Sequence, residues 1–76
     1  MKIQIIGTGC PKCRALHANA ERAVTELGLD ATIEKVDDIR DIARMGVMMT
    51  PALAIDGVVR SQGHLLSAHQ IERMLA

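Results

Sequence analysis

The chain has 76 residues, 49% of them hydrophobic and none aromatic. It reads as one small domain over residues 1–76, near the lower size limit for a self-sufficient core. Nine basic residues balance nine acidic ones; with no net charge, no basic cluster and no aromatic stacking platform, neither a nucleic-acid partner nor a membrane partner is expected.

Met1-Lys2 leads directly into a strand pattern. No apolar leader precedes it and no run is long enough to cross a bilayer, so the expected location is cytoplasmic. Lys2 to Ile6 reads as a buried strand that ends at Gly7-Thr8-Gly9. Pro11 suits the first position of a helix, where its missing N–H is not needed. Cys13, Leu16, Ala20, Ala23, Val24 and Leu27 then recur at helical spacing until Gly28, a C-terminal stop. Glu21, Arg22 and Glu26 fall on the outer side.

Ala31 to Val36 forms a second, weaker strand pattern. Asp37-Asp38 offers an N-cap for a short helix with Ile39, Ile42 and Ala43 facing inward, closed by Gly46. Residues 47–50 read as a loop. Ala52 to Ile55 is a third strand. Asp56-Gly57 is a two-residue hairpin signal, so Val58 to Ser61 should return antiparallel. Ser67-Ala68-His69-Gln70 has the spacing of a capping box and opens a last helix with Ile71, Met74 and Leu75 apolar. The order is βαβαββα. It implies an α/β fold whose strand–helix–strand unit is a parallel, right-handed crossover. The final hairpin completes a mixed four-stranded sheet flanked by three helices.

The chemistry concentrates in Cys10-Pro11-Lys12-Cys13, which holds both cysteines of the chain. The motif falls where a strand passes into a helix. Unpaired backbone N–H groups at a helix start favour a thiolate on the first sulfur, and the Lys12 ammonium adds positive charge nearby. Cys13, one turn in, should be less exposed and suited to attack a mixed disulfide from within. A static disulfide across so small a loop would add little stability and is not expected in a reducing cytoplasm. The pair therefore reads as catalytic, redox-sensing or metal-binding.

The CxxC after the first strand and the proline before the third resemble the thioredoxin-like superfamily in its compact, glutaredoxin-sized form. Gly7-Thr8-Gly9-Cys10-Pro11-Lys12-Cys13 and Gly46-Val47-Met48-Met49-Thr50-Pro51-Ala52 are similar to the small redox-active disulfide proteins of prokaryotes. The resemblance implies a thiol–disulfide oxidoreductase that needs no cofactor and no metal. Its partners would be a disulfide-containing protein or small molecule and a reductase or thiol donor. By position, Cys10 would attack and Cys13 resolve, with Pro11 and Lys12 modulating them. Pro51 would be a cis-proline facing the disulfide, and Thr50 would offer backbone groups to an extended substrate. Met48 and Met49 beside it read either as soft, adaptable side chains suited to docking or as fillers of core space left by the missing aromatics, whereas Met45 reads as core filling.

Three positions depart from that family's patterns. Gly9 stands where thioredoxins carry Trp. Gln4 stands where they bury Asp, and an amide cannot shuttle a proton, so Cys13 needs another route of deprotonation. Ser61-Gln62-Gly63-His64 replaces the glutathione-holding Gly-Gly…Asp element of glutaredoxins. Two alternatives stay open: a CxxC soft-metal binder and a redox-sensing module without turnover. Heavy-metal-associated domains also place CxxC after a first strand. They follow a βαββαβ order, usually with Met shortly before the first cysteine, whereas here Thr8 stands two residues ahead and a helix comes last. His17, four residues after Cys13, can share its helix face; His64 and His69 read as solvent-facing.

Overall fold

The computed structural model describes all residues, Met1–Ala76. Its elements are β1 (Lys2–Ile6), α1 (Pro11–Leu27), β2 (Thr32–Val36), α2 (Ile39–Arg44), β3 (Ala52–Ile55), β4 (Val58–Gln62) and α3 (Ala68–Leu75). The strands form one sheet in the order β2-β1-β3-β4. β1 runs parallel to β2 and antiparallel to β3, which pairs antiparallel with β4. This is the mixed α/β arrangement that the element order implied. No helix is long and apolar enough to cross a membrane.

Local chemistry sets the boundaries. Cys10 caps α1 and Pro11 occupies its first turn. At the other end Gly28 is left-handed (φ 64°), which costs glycine little. Its N–H reaches Thr25 O at 3.2 Å and the Leu29 N–H reaches Val24 O at 3.1 Å, a Schellman ending. α2 starts from Asp38, whose side chain accepts from the Arg40 N–H at 2.8 Å. It closes in the same way: Gly46 N–H to Ala43 O at 3.0 Å and Val47 N–H to Ile42 O at 3.3 Å. Ser67 and Gln70 complete a reciprocal capping box at α3. Asp56 and Gly57 both have positive φ, as a type I′ hairpin requires.

The pleat of β1 divides the core. Ile3 and Ile5 face α1 and α3 in a cluster with Leu16, Ala20, Leu53 and Ile71. Ile6 points the other way, with Val36, Ile42, Val47, Ala52 and Ala54, against α2. Met45 packs partly buried on this second cluster, the core-filling role read from sequence.

Several boundaries and faces differ from expectation. β2 starts at Thr32 rather than Ala31, and β4 runs one residue further, to Gln62. Ile39 and Ala43 do not face inward: Ile39 is 72% exposed and only Ile42 of α2 is buried. A six-residue helix presents less than two turns, so one apolar position meets the sheet. Leu27, at the last turn of α1, is exposed. Gly7, where the first strand pattern ends, is buried.

Candidate active site

β1 delivers the chain to the dithiol and β3 brings its neighbour. The antiparallel register pairs Ile6 with Ala52. The next residues out on each strand are Gly7 and Pro51, so the Met48–Pro51 loop comes up beside the start of α1. The Thr50-Pro51 bond is cis. A Cβ built on Gly7 would lie 3.7 Å from the Thr50 Cβ and would collide with the Cys13 sulfur. Gly7 therefore marks a close approach of backbone, loop and buried thiol, at a position without the positive φ that alone would call for glycine.

Both cysteines are free thiols, Cys10 half-exposed and Cys13 buried. Their sulfurs lie 2.6 Å apart, so a bond of about 2.05 Å could close with little movement. The Cys10 Sγ also accepts from the Cys13 backbone N–H at 3.3 Å, which makes Cys10 the side-chain cap of its own helix. These donors hold the Cys10 thiol below its ordinary pKa. The Cys13 side chain contributes most and the Cys13 N–H next; partial burial opposes them, and the Lys12 N–H adds a smaller lowering. Lys12 thus acts on the sulfur through its backbone; its side chain is exposed. Burial pushes the Cys13 thiol up, and its hydrogen bond to Cys10 adds to the rise. The pair is polarised: the accessible sulfur ionises before the buried one.

Behind Cys13 is a cleft of about 130 Å³ lined in part by Gly7, Gly9, Arg14, His17, Lys35 and Asp37. Water and titratable groups can approach the buried sulfur there. His17 does share this side of α1 with Cys13, and its Nδ1 lies 3.2 Å from Glu21 Oε1. Gln4 lies on the opposite face of the sheet, where its Nε2 donates to Glu34 Oε1 at 3.1 Å. His64 and His69 are exposed, as expected. No group of three or more His, Cys, Asp or Glu side chains is arranged to hold a metal ion.

On the loop, Met48 is 88% and Met49 61% exposed. Thr50 is exposed, and neither its N–H nor its C=O enters a hydrogen bond within the chain. Pro51 is buried. Two site residues escaped sequence reasoning. Gly7 carried no signal, because nothing local says which side chain will cross it. Gln62 stood in a region noted only for lacking a glutathione element, yet its Oε1 accepts from the Met48 N–H at 2.9 Å and the Met49 N–H at 3.4 Å.

Comparison with known proteins bears on the chain as a whole. Residues 1–76 match the family model described as thioredoxin domain. The chain is 43% identical over 76 residues to a thioredoxin of Methanothermobacter thermautotrophicus, covering 100% of this chain and 99% of that protein. It is 45% identical over 73 residues to a thioredoxin of Methanocaldococcus jannaschii, covering 96% and 84% of the two chains.

Proposed function

The chain belongs to the thioredoxin domain family and is a thiol–disulfide oxidoreductase, and we propose that Cys10 is its attacking thiolate and Cys13 its resolving thiol. The observation that carries this order is the asymmetry of the pair: Cys10 is accessible at a helix start and held low, Cys13 is buried and held high.

The Cys10 thiolate attacks one sulfur of a substrate disulfide. The substrate S–S bond breaks, the leaving sulfur departs as a thiolate that takes a proton from water, and a Cys10–substrate mixed disulfide forms. That step removes the negative charge from Cys10. Cys13 then gives its proton to water in the adjoining cleft, and its sulfur attacks the neighbouring Cys10 Sγ. The second substrate thiolate leaves and Cys10–Cys13 becomes the disulfide. The substrate has gained two electrons and the protein has lost two electrons and the Cys13 proton; a reductase or thiol donor returns the electrons, and one proton restores the thiolate–thiol pair.

Thr50, Pro51 and Met49 form the substrate face. The free N–H and C=O of Thr50 can pair with an extended chain as an added strand, while Pro51 offers no N–H and Met49 an adaptable apolar contact. Pro11 starts the helix, and the Lys12 backbone adds a smaller lowering of the Cys10 pKa. Residues 1–76 act as one unit, because a single sheet carries both apolar clusters.

The test is trapping. Cys13→Ser should accumulate a mixed disulfide between Cys10 and a protein disulfide substrate, visible by non-reducing electrophoresis and mass spectrometry. Cys10→Ser should not. Equal trapping by the two variants, or trapping by Cys10→Ser alone, reverses the assignment.

A further inference from the structure

The substrate loop has no regular structure of its own, and its hydrogen bonds to the rest of the fold are few. Gln62 supplies two of them. It is the last residue of β4 and pairs with Ala52 of β3. That pairing depends on an irregularity: Ala54 pairs with Val59 but Leu53 pairs with Ser61, leaving Arg60 as an extra residue on β4. Without the bulge, Ser61 would stand opposite Ala52. Opposed residues of an antiparallel pair share a face, so the bulge puts the long Gln62 side chain on the Ala52 face, the side that carries Val47. Its Oε1 then takes the N–H groups of both Met48 and Met49. The next residue completes the contact. The Gly63 N–H donates to Pro51 O at 2.8 Å. A Cβ on Gly63 would lie 2.9 Å from Met49 Cε and 3.3 Å from Met49 Cβ; its φ of +75° disfavours any other residue besides.

We infer that Gln62 is a positioning residue for substrate recognition: one amide oxygen satisfies the Met48 and Met49 N–H groups and so presents the unpaired Thr50 backbone to an incoming disulfide-bearing strand. This rests on the reading of Thr50 as the substrate face. The physical reasoning is entropic. A loop whose donors are satisfied by one fixed acceptor is already ordered when substrate arrives, so less of the binding free energy is lost to ordering it. Gln62 touches no reacting atom, and its removal leaves the dithiol as it is.

The test compares a linear peptide disulfide with the same peptide N-methylated on the residues flanking its cysteine, which removes main-chain pairing but keeps the disulfide. Single-turnover oxidation of the reduced protein is measured for native protein, Gln62→Met and Gln62→Glu, with iodoacetamide alkylation of Cys10 in parallel. Native protein should prefer the unmodified peptide by about tenfold, as one or two hydrogen bonds allow. Gln62→Met matches the side chain in length but has no acceptor oxygen; it should lose most of that preference with the alkylation rate unchanged. Gln62→Glu keeps an acceptor for both N–H groups and should retain the preference. If native protein shows no preference between the peptides, the reading of Thr50 as a pairing surface falls, and the inference with it. If native protein discriminates but Gln62→Met discriminates equally, the inference about Gln62 alone is overturned. A parallel fall in alkylation would show that Gln62 acts on the fold or the dithiol rather than the loop, and a Gln62→Glu variant that behaves like Gln62→Met would exclude the acceptor role.

Discussion

Replacing Gly7 with alanine probes how tightly the buried thiol is held. The added methyl falls on the Cys13 sulfur, 3.4 Å from the Cys13 Cβ and 3.7 Å from the Thr50 Cβ. Neither neighbour yields easily, since Cys13 is in the first turn of α1 and Thr50 precedes a buried proline. Backbone conformation adds nothing to the cost, because Gly7 has no positive φ. The penalty is therefore one of overpacking, typically about 1–3 kcal/mol. A domain of this size loses about 4–8 °C of Tm per kcal/mol, so a central cost near 2 kcal/mol corresponds to a fall of about 8–16 °C in the reduced protein, read by far-ultraviolet circular dichroism. The cause can be isolated. In a Cys13→Ala background the sulfur is gone and the same methyl should be nearly free, giving a double-mutant coupling of about 1–3 kcal/mol. A Gly7→Ala protein with unchanged Tm, or one with the same loss in both backgrounds, would refute the reasoning.

The remaining predictions concern the dithiol and α2. Alkylation of Cys10 against pH should show a midpoint below the free-cysteine value of about 8.5. Cys13→Ala should move that midpoint up more than Cys13→Ser, whose hydroxyl still donates to the thiolate; equal midpoints in native and Cys13→Ala proteins would count against the hydrogen-bond cause. The linkage signs are opposite for the two thiols. The lowered Cys10 contributes stability that is full above its unfolded pKa and fades as pH falls through the folded one, whereas the raised Cys13 contributes stability that is full below its unfolded pKa and is lost as pH rises through the folded one. Denaturant titrations of Cys13→Ser and Cys10→Ser across that range should separate the two slopes. On α2, Ile42→Ala should cost about 2–5 kcal/mol by leaving a cavity, while Ile39→Ser, at a 72% exposed position, should stay within about 0.5 kcal/mol in urea unfolding. Asp38→Ala should cost about 0.5–2 kcal/mol through the lost cap.

Much of this protein is legible residue by residue because its instructions are local. Pro11 one place into a helix, glycines at 28 and 46 where helices stop, Asp56-Gly57 between strands and Ser67 with Gln70 each act over a few positions, and each forms the feature its chemistry dictates. The exposure of Cys10 is equally local, since a helix cap is a matter of position along one helix, whereas the burial that raises Cys13 comes from the strand end packed over it. What only the tertiary structure decided are relations across the chain. Gly7 meets the Cys13 sulfur because β1 and α1 fold back on each other, and Gln62 reaches Met48 and Met49, 14 and 13 residues away, because a bulge in β4 changes which side chain stands opposite Ala52. Ile39 is as apolar as Ile42, yet one is exposed and the other buried, since a short helix offers the sheet a single stripe. Hydrophobicity and turn chemistry specify what a residue prefers; which neighbour satisfies it depends on register and packing between segments that no local pattern encodes.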